Sequence, residues 1–209
     1  MLAKHDRPSP GASGPSWLTF LGHSNDSLWS LDLFRCESVI LRTHWVMLVM
    51  DQFSRRIVGF AVHVGQLDGP AVCRLFGKAI YGKSAFPCRL STDHDPLFEY
   101  RQWKANLRIL EISEVKTVPY VPLSHPFIER LVGTFRRELL AQVSFWTARD
   151  LEQKLGRFKD YYNRERVHAL LGGITPDSRL GQPSPKPLSR AQFRWKSHCR
   201  ELYQLPAAA

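Results

Sequence analysis

Residues 28–34, 45–50 and 56–64 read Leu-Trp-Ser-Leu-Asp-Leu-Phe, Trp-Val-Met-Leu-Val-Met and Arg-Ile-Val-Gly-Phe-Ala-Val-His-Val, and their succession decides the fold. In the first stretch, alternation places Leu28, Ser30, Asp32 and Phe34 on one face of a strand. The second is apolar on both faces, as expected of a strand buried at the centre of a sheet. The third follows it after the short polar turn Asp51-Gln-Phe-Ser-Arg55. Three strands in such close succession predict an antiparallel meander.

Beyond residue 64 the spacing becomes helical. Asp68 caps a predicted helix whose apolar positions are Val72, Leu75, Phe76, Ala79 and Ile80. A short strand is expected at 88–91, ended by Asp93-His-Asp-Pro96, then a helix over 97–105 and a strand over 109–118. Pro119, Pro122 and Pro126 make 119–126 an extended loop, and Pro126 suits the first position of a helix reaching about residue 143. Thr147-Ala-Arg-Asp150 reads as a capping box ahead of the stripe Leu151, Leu155, Phe158 and Tyr162. The order β-β-β-α-β-α-β-α gives an α/β class with a mixed sheet, its later strands added by helical crossovers.

The ends differ in character. Residues 1–25 are rich in Pro, Gly and Ser and read as a flexible arm, and 181–209 as a basic, Pro-rich tail. The 209 residues carry 29 Lys and Arg against 19 Asp and Glu, a net charge of +10, which is compatible with a polyanionic partner. With 44% hydrophobic and 23% charged residues the chain is not of the disordered class. The longest apolar run, 45–50, falls far short of the roughly 18 residues of a membrane span, and the start lacks the apolar core of a signal peptide. An intracellular protein is expected. The 4 cysteines are dispersed and the 8 histidines form no ligand pattern, so reduced thiols and no zinc site are expected.

Three carboxylates stand out by location. Asp32 lies mid-strand among apolar neighbours, Asp93 directly follows a strand, and Glu129 lies in the first turn of a helix. Each has a structural reading too, Asp93 as a turn cap and Glu129 as a charge favoured at a helix N-terminus. Converging on one sheet edge, the three would repel unless a divalent cation sat among them. Magnesium takes carboxylate and phosphate oxygens, which suits phosphodiester chemistry in a basic protein.

Trp29-Ser-Leu-Asp32, Asp51-Gln-Phe-Ser-Arg-Arg-Ile-Val-Gly59, Ser91-Thr-Asp93 and Ser124-His-Pro-Phe-Ile-Glu129-Arg130 resemble the integrase catalytic core. This is the domain of retroviral integrases and of bacterial insertion-sequence transposases of the DDE type. Between Asp93 and Glu129 lie 35 residues, the separation of that family's second Asp and its Glu. Tyr161-Tyr-Asn-Arg-Glu-Arg-Val-His168 and Leu171-Gly-Gly-Ile-Thr-Pro176 are similar to the end of the bacterial version, so the resemblance spans roughly 27–178.

The resemblance implies a ribonuclease-H-like fold, a mixed five-stranded sheet flanked by helices. It implies magnesium-dependent nicking of DNA at transposon ends (with manganese able to substitute) and transfer of the freed 3′-hydroxyl into target DNA. Asp32, Asp93 and Glu129 match the catalytic, metal-binding acids, whereas Asp51 matches a hairpin position and is read as structural. The division expected is an arm over 1–25, a core over 26–145, a helical extension over 146–180 and a tail over 181–209. On the helix opened by Pro126, steps of 100° set Gly133 about 40° and Arg136 about 20° from Glu129. Arg136 and Gly133, flanked by Arg130 and Arg137, are therefore expected to face DNA.

Partners expected are transposon ends, the target duplex, further copies of the chain and a separate helix-turn-helix protein, in the cytoplasm on the nucleoid and away from membranes. The last follows because 25 flexible residues cannot form the helical DNA-binding region usual before this core. Contacts between copies are expected at 151–163 and the tail, although a stripe such as Leu151, Leu155, Phe158 and Tyr162 more often packs in a core. His94-Asp95 stands where Asn-Gly is common, altering the turn beside the second Asp. Two alternatives remain: a truncated, non-catalytic remnant that binds DNA or assists assembly, and a related structure-selective nuclease.

Overall fold

Alternating side chains along residues 28–64 build three strands, β1 (Leu28–Glu37), β2 (Thr43–Asp51) and β3 (Ile57–Val64), paired as an antiparallel meander. The computed structural model describes residues 28–116 and 126–180, with the backbone of two further strands in the tail. The arm expected at 1–25 and the loop expected at 119–125 lie outside the described residues. Strand β4 (Arg89–Thr92) joins β1 in parallel, with Ser30 beside Ser91, and β5 (Ser113–Lys116) joins β4 in the same sense. The sheet order is β3-β2-β1-β4-β5, the mixed five-stranded arrangement expected. In the tail, β6 (Phe193–His198) and β7 (Tyr203–Ala208) pair antiparallel as a separate ribbon.

The two sheet faces carry two apolar clusters. On one, Trp29, Leu31, Met47 and Val49 pack against α1 (Gly69–Ala79) and α2 (Arg101–Ile109) through Val72, Leu75, Phe76, Trp103 and Leu107. Asp68 caps α1 by accepting from the Ala71 N–H at 2.8 Å. On the other, Phe34, Val46, Leu48 and Met50 meet α3 (Pro126–Thr134) and α4 (Ala148–Arg164) through Ile128, Leu131, Leu151, Leu155, Phe158 and Tyr162. Each fully buried Leu or Phe contributes about 1.5–3 kcal/mol over an exposed one, so these faces hold the layers together.

Three expected elements take different bounds. The helix expected over 97–105 is a single 3-10 turn, Pro96–Glu99, followed by α2. Tyr100 between them is extended, and its ring lies where a Cβ on Gly69 would be, 2.4 Å away, so it packs on the start of α1 instead of continuing a helix. The strand expected over 109–118 starts only at Ser113, because α2 runs to Ile109 and Glu111 takes a left-handed φ of 55°. The helix expected from 126 to about 143 is α3 followed by a π-helical stretch, Phe135–Leu140. There the Thr134 hydroxyl donates to the Arg130 carbonyl at 2.8 Å, competing with the backbone partner of that carbonyl.

The outer strand β3 is held by residues more than a hundred positions away. Asn163, 3% exposed on α4, accepts from the Ile57 N–H at 2.9 Å and donates to the Ile57 carbonyl at 3.0 Å. Its amide thus pairs with the strand as another strand would. Beside it, Arg56 donates to Asp177 at 2.6 Å, and the Arg179 guanidinium, on α5 (Pro176–Arg179), lies 4.7 Å over the Phe53 ring. On the opposite side of the strand's layer, a Cβ on Gly59 would sit 1.7 Å from the Ala79 carbonyl oxygen, so only glycine permits α1 to lie this close. No helix among the described residues is long and apolar enough to cross a membrane.

Replacing Asn163 by Ala orphans two buried backbone groups, and we expect a loss of about 2–4 kcal/mol in urea unfolding, with Asn163→Asp intermediate because it keeps the acceptor. A loss under 0.5 kcal/mol would show the pairing to be dispensable. His168 provides a pH test. Burial pushes its imidazole down to about 4, with Arg166 and Arg55 acting the same way and Glu138 opposing. The unfolded chain, with the ordinary value of 6.5, therefore binds more protons than the folded one as pH falls. Stability is full above pH 6.5 and declines towards pH 4, by about 2 kcal/mol after allowance for solvent screening. His168→Phe should flatten that slope in denaturation measured across the range.

Candidate functional site

Period-two alternation on β1 turns Ser30, Asp32 and Phe34 towards α3, and Asp32 stands opposite Leu48 of β2. Asp32 is half-buried, and its Oδ1 accepts from the Leu33 N–H at 2.7 Å. Its carboxyl is pushed up to about 7, chiefly by burial. The Leu33 N–H pulls it down, the negative charges of Asp93 and Glu129 push it further up, and Arg136 pulls it down again. Asp93 and Glu129, from a strand end and a helix, thus both act on Asp32 in its strand.

Asp93 leaves the end of β4, two residues beyond the Ser30–Ser91 pairing, which carries it along the flank of Asp32. It accepts from the Asp95 N–H at 3.1 Å. Burial raises its proton affinity; the Asp95 N–H lowers it, the Asp95 carboxylate raises it, and His94 and Lys116 lower it. Asp95 in turn caps the 3-10 turn by accepting from Leu97 N–H at 2.9 Å, so the His94-Asp95 pair makes an ordered turn. Glu129 is exposed in the first turn of α3. No hydrogen bond joins the three acids, and no group of three His, Cys, Asp or Glu among the described residues stands in a metal-ready cluster.

The cationic candidates divide. Arg136 is exposed, its guanidinium 5.7 Å over the Phe34 ring, and its charge reaches both Asp32 and Cys36. It acts on Asp32 from the π-helical stretch beyond the end of α3, where steps of 100° no longer hold. Gly133 has a different neighbour from the one expected: a Cβ there would meet the Arg137 Nη1 at 3.0 Å, so the missing side chain makes room for that guanidinium. Arg130 is exposed and turned towards Arg55. Asp51 accepts from the Ser54 N–H at 3.1 Å and the Ser54 hydroxyl at 2.5 Å, which closes the β2–β3 turn and gives it a structural role.

Two polar residues of that turn were not expected at the site. Gln52, 2% exposed, donates to the Ser30 hydroxyl on the face of Asp32, and its Oε1 has no partner among the described residues. Arg55, left-handed at φ 62°, lays its guanidinium 3.2 Å over the Phe127 ring at the start of α3. Burial brings it down to about 10, with Tyr162 and Asp51 opposing and Arg130 adding to the fall. Both belong to the Asp51-Gln-Phe-Ser-Arg stretch, whose polar density after a buried strand was the available signal. Chemically, the site offers carboxylate oxygens alone, one of them near neutrality, with Arg136 at its border.

Sequence comparison matches residues 110–176 to the integrase core domain. A curated relative, the insertion element IS407 uncharacterized 31.7 kDa protein of Burkholderia multivorans, is 26% identical over 155 residues, covering 72% of this chain and 54% of its own. The chain therefore spans about half the length of that relative. Among solved structures, the simian T-cell lymphotropic virus intasome in complex with PP2A regulatory subunit B56 gamma aligns with a TM-score of 0.61 at 16% identity, over 87% of this chain and 67% of that one. The HTLV-2 integrase catalytic core domain in complex with magnesium (trimeric form) aligns with a TM-score of 0.54 at 17% identity, over 73% of this chain and 95% of its own. Sequence and fold agree: residues 110–176 match the integrase core domain, and the chain has the ribonuclease-H-like fold of the integrase catalytic cores it aligns with.

Proposed function

We propose that the chain is a DDE-type transposase or integrase core that nicks DNA and transfers the resulting strand during DNA integration, with Asp32, Asp93 and Glu129 as its catalytic, metal-binding acids. The observation that carries this reading is the integrase-core match over 110–176 together with the placement of Asp32 on β1, Asp93 at the end of β4 and Glu129 in the first turn of α3, where Asp93 and Glu129 both act on the Asp32 carboxyl. Such a set costs free energy as it stands, and a hard divalent cation offsets that cost. Donor chemistry fits magnesium, with manganese as substitute, since every candidate ligand is a carboxylate oxygen. When bound, the ion supplies an activated attacking oxygen and a stabilised leaving oxygen in an in-line displacement.

The protein's own residues have separable tasks in this reading. The Leu33 N–H fixes one Asp32 oxygen, the Asp95 N–H fixes Asp93, and the Gln52–Ser30 contact braces the strand beneath them. Arg136 offers phosphate a charge beside the acids, with Arg130 and Arg137 as neighbouring contacts. Residues 26–145 form the core, and 146–180 are an extension sharing its apolar cluster. Transposon ends and target duplex are the substrates, and further copies of the chain complete the assembly, in the cytoplasm on the nucleoid. Support comes from the neighbours, one solved as an intasome and one with magnesium in a trimeric form. No observation favours the remnant or the structure-selective nuclease over this reading.

Asp32→Asn, Asp93→Asn and Glu129→Gln should each reduce magnesium-dependent nicking of model ends by at least about a thousandfold, about 4 kcal/mol in the barrier, while thermal unfolding stays cooperative. Asp51→Asn, outside the set, retains substantial activity. Normal cleavage by Asp93→Asn would reject the mechanism. Arg136→Ala should weaken end and random DNA alike and lower the log-log salt slope by about one counterion. An unchanged slope and affinity would remove Arg136 from the DNA path.

A further inference from the structure

Residues 69–92 contain four cations, Arg74, Lys78, Lys83 and Arg89, and no Asp or Glu. On α1 the apolar positions Val72, Leu75, Phe76 and Ala79 are buried, and Arg74, Lys78 and Tyr81, at i, i+4 and i+7, point the other way together. With Gly77 these three line one shallow hollow. Tyr81 is 88% exposed, an unusual position for a ring with apolar faces, and Arg74 and Lys78 are exposed beside it. Neither of these cations, nor Lys83, forms an ion pair with any described carboxylate.

The positive surface continues round the outer edge of the sheet. Burial lowers the proton affinity of Lys83 and of Lys159 on α4; Arg56 lowers both further, and Lys83 adds to the effect on Lys159. Asp160 and Asp177 oppose the effect at Lys159, so this edge carries Arg56, Lys83 and Lys159 with two carboxylates among them. Arg74, Lys78 and Tyr81 lie on the α1 side of the sheet, with Lys159 of α4 at its outer edge, whereas Glu129 and Arg136 belong to the α3 side. A sheet and a helix layer separate the two, so the strip is a different surface from the carboxylate site.

We infer that the outer face of α1 is a second DNA-binding surface, where Arg74, Lys78 and Lys83 hold the phosphates of one strand and Tyr81 stacks on an unpaired base. Arg74 and Lys78 stand about 6 Å apart along the helix axis, and their long side chains adjust to successive phosphates. An exposed ring among cations is the combination that binds single strands without reading sequence. A second copy of the chain is the poorer occupant, because a two-fold contact sets the same cations against themselves. The chain would then grip one DNA segment at the acids and another behind the sheet. Binding at the strip does not require the carboxylate chemistry.

The test uses the full chain in EDTA, with fluorescence anisotropy on a labelled duplex carrying a single-stranded overhang and on its blunt counterpart. Without metal, failure of the catalytic reading leaves the result untouched. Arg74→Gln/Lys78→Gln should lower the log-log salt slope by about 1.8, two counterions, and weaken binding of both probes. Tyr81→Ala should lose about fivefold or more on the overhang probe alone, and Tyr81→Phe should bind as the parent. Gly77 provides a variant safe for folding, since a Cβ there meets no atom within 4 Å. Gly77→Ala should bind as the parent, and Gly77→Glu should match the double variant's weakening, both with parental melting. Parental affinity and slope in both the double variant and Gly77→Glu would overturn the inference. So would a change confined to the sedimenting mass of the protein, which would make the face a contact between copies.

Discussion

Everything on the α3 side of the sheet depends on how Asn163 meets Ile57. An outer strand has a row of backbone groups to satisfy, and here a side-chain amide from α4 satisfies the pair at Ile57 with both of its polar atoms. That pairing sets the position of α4. The buried stripe of α4 then supports α3, with the Phe158 ring 4.7 Å from that of Phe135. Helix α3 carries Glu129, so the chain of constraint runs from an amide at the sheet's outer edge to the exposed acid on the helix over β1 and β2. Arg56 with Asp177, and Arg179 over Phe53, secure the same turn from a second direction.

The acids obey a different logic from this scaffold. Packing and backbone pairing specify the scaffold, and each contact in it lowers the free energy of the folded chain. At the site, burial and like charges raise it, and the cost concentrates on Asp32 because it alone of the three lies mid-strand. Such a cost is tolerated where the surroundings leave a side chain no alternative. The Leu33 N–H, the apolar neighbours on β1 and the helix above give Asp32 none.

Much of this was legible before any coordinates. The meander was readable because alternation over 28–34 and the two-sided apolar run over 45–50 are incompatible with a helix, and the capped helix after Asp68 announced itself by spacing. The acids were legible through the resemblance, which attaches the 35-residue interval to a known pattern; Asp32 alone looks like any strand carboxylate. What escaped depends on tertiary contact. Tyr100 breaks the expected helix because its ring rests on Gly69, thirty positions back, and local propensity has no access to that neighbour. The π-helical stretch after Thr134, where a hydroxyl bonds the Arg130 carbonyl, has no periodic signature in the sequence. Gln52 and Arg179 are polar residues of a turn and of a C-terminal motif, and each is buried by a distant partner, Gln52 by Ser30 of β1 and Arg179 by the Phe53 ring.

The meeting of those segments also dictates an order in time. Strand β3 is complete once residue 64 has been made, but the amide that pairs with its outer backbone arrives about a hundred residues later. Until then the growing chain displays an open strand edge next to an apolar face, the form of surface on which other chains associate. The same exposure awaits any fragment that ends before α4. Residues 148–164 thus close part of that edge and cover the apolar face beside it, so shortening the protein from its C-terminal side re-exposes both before it removes the acids.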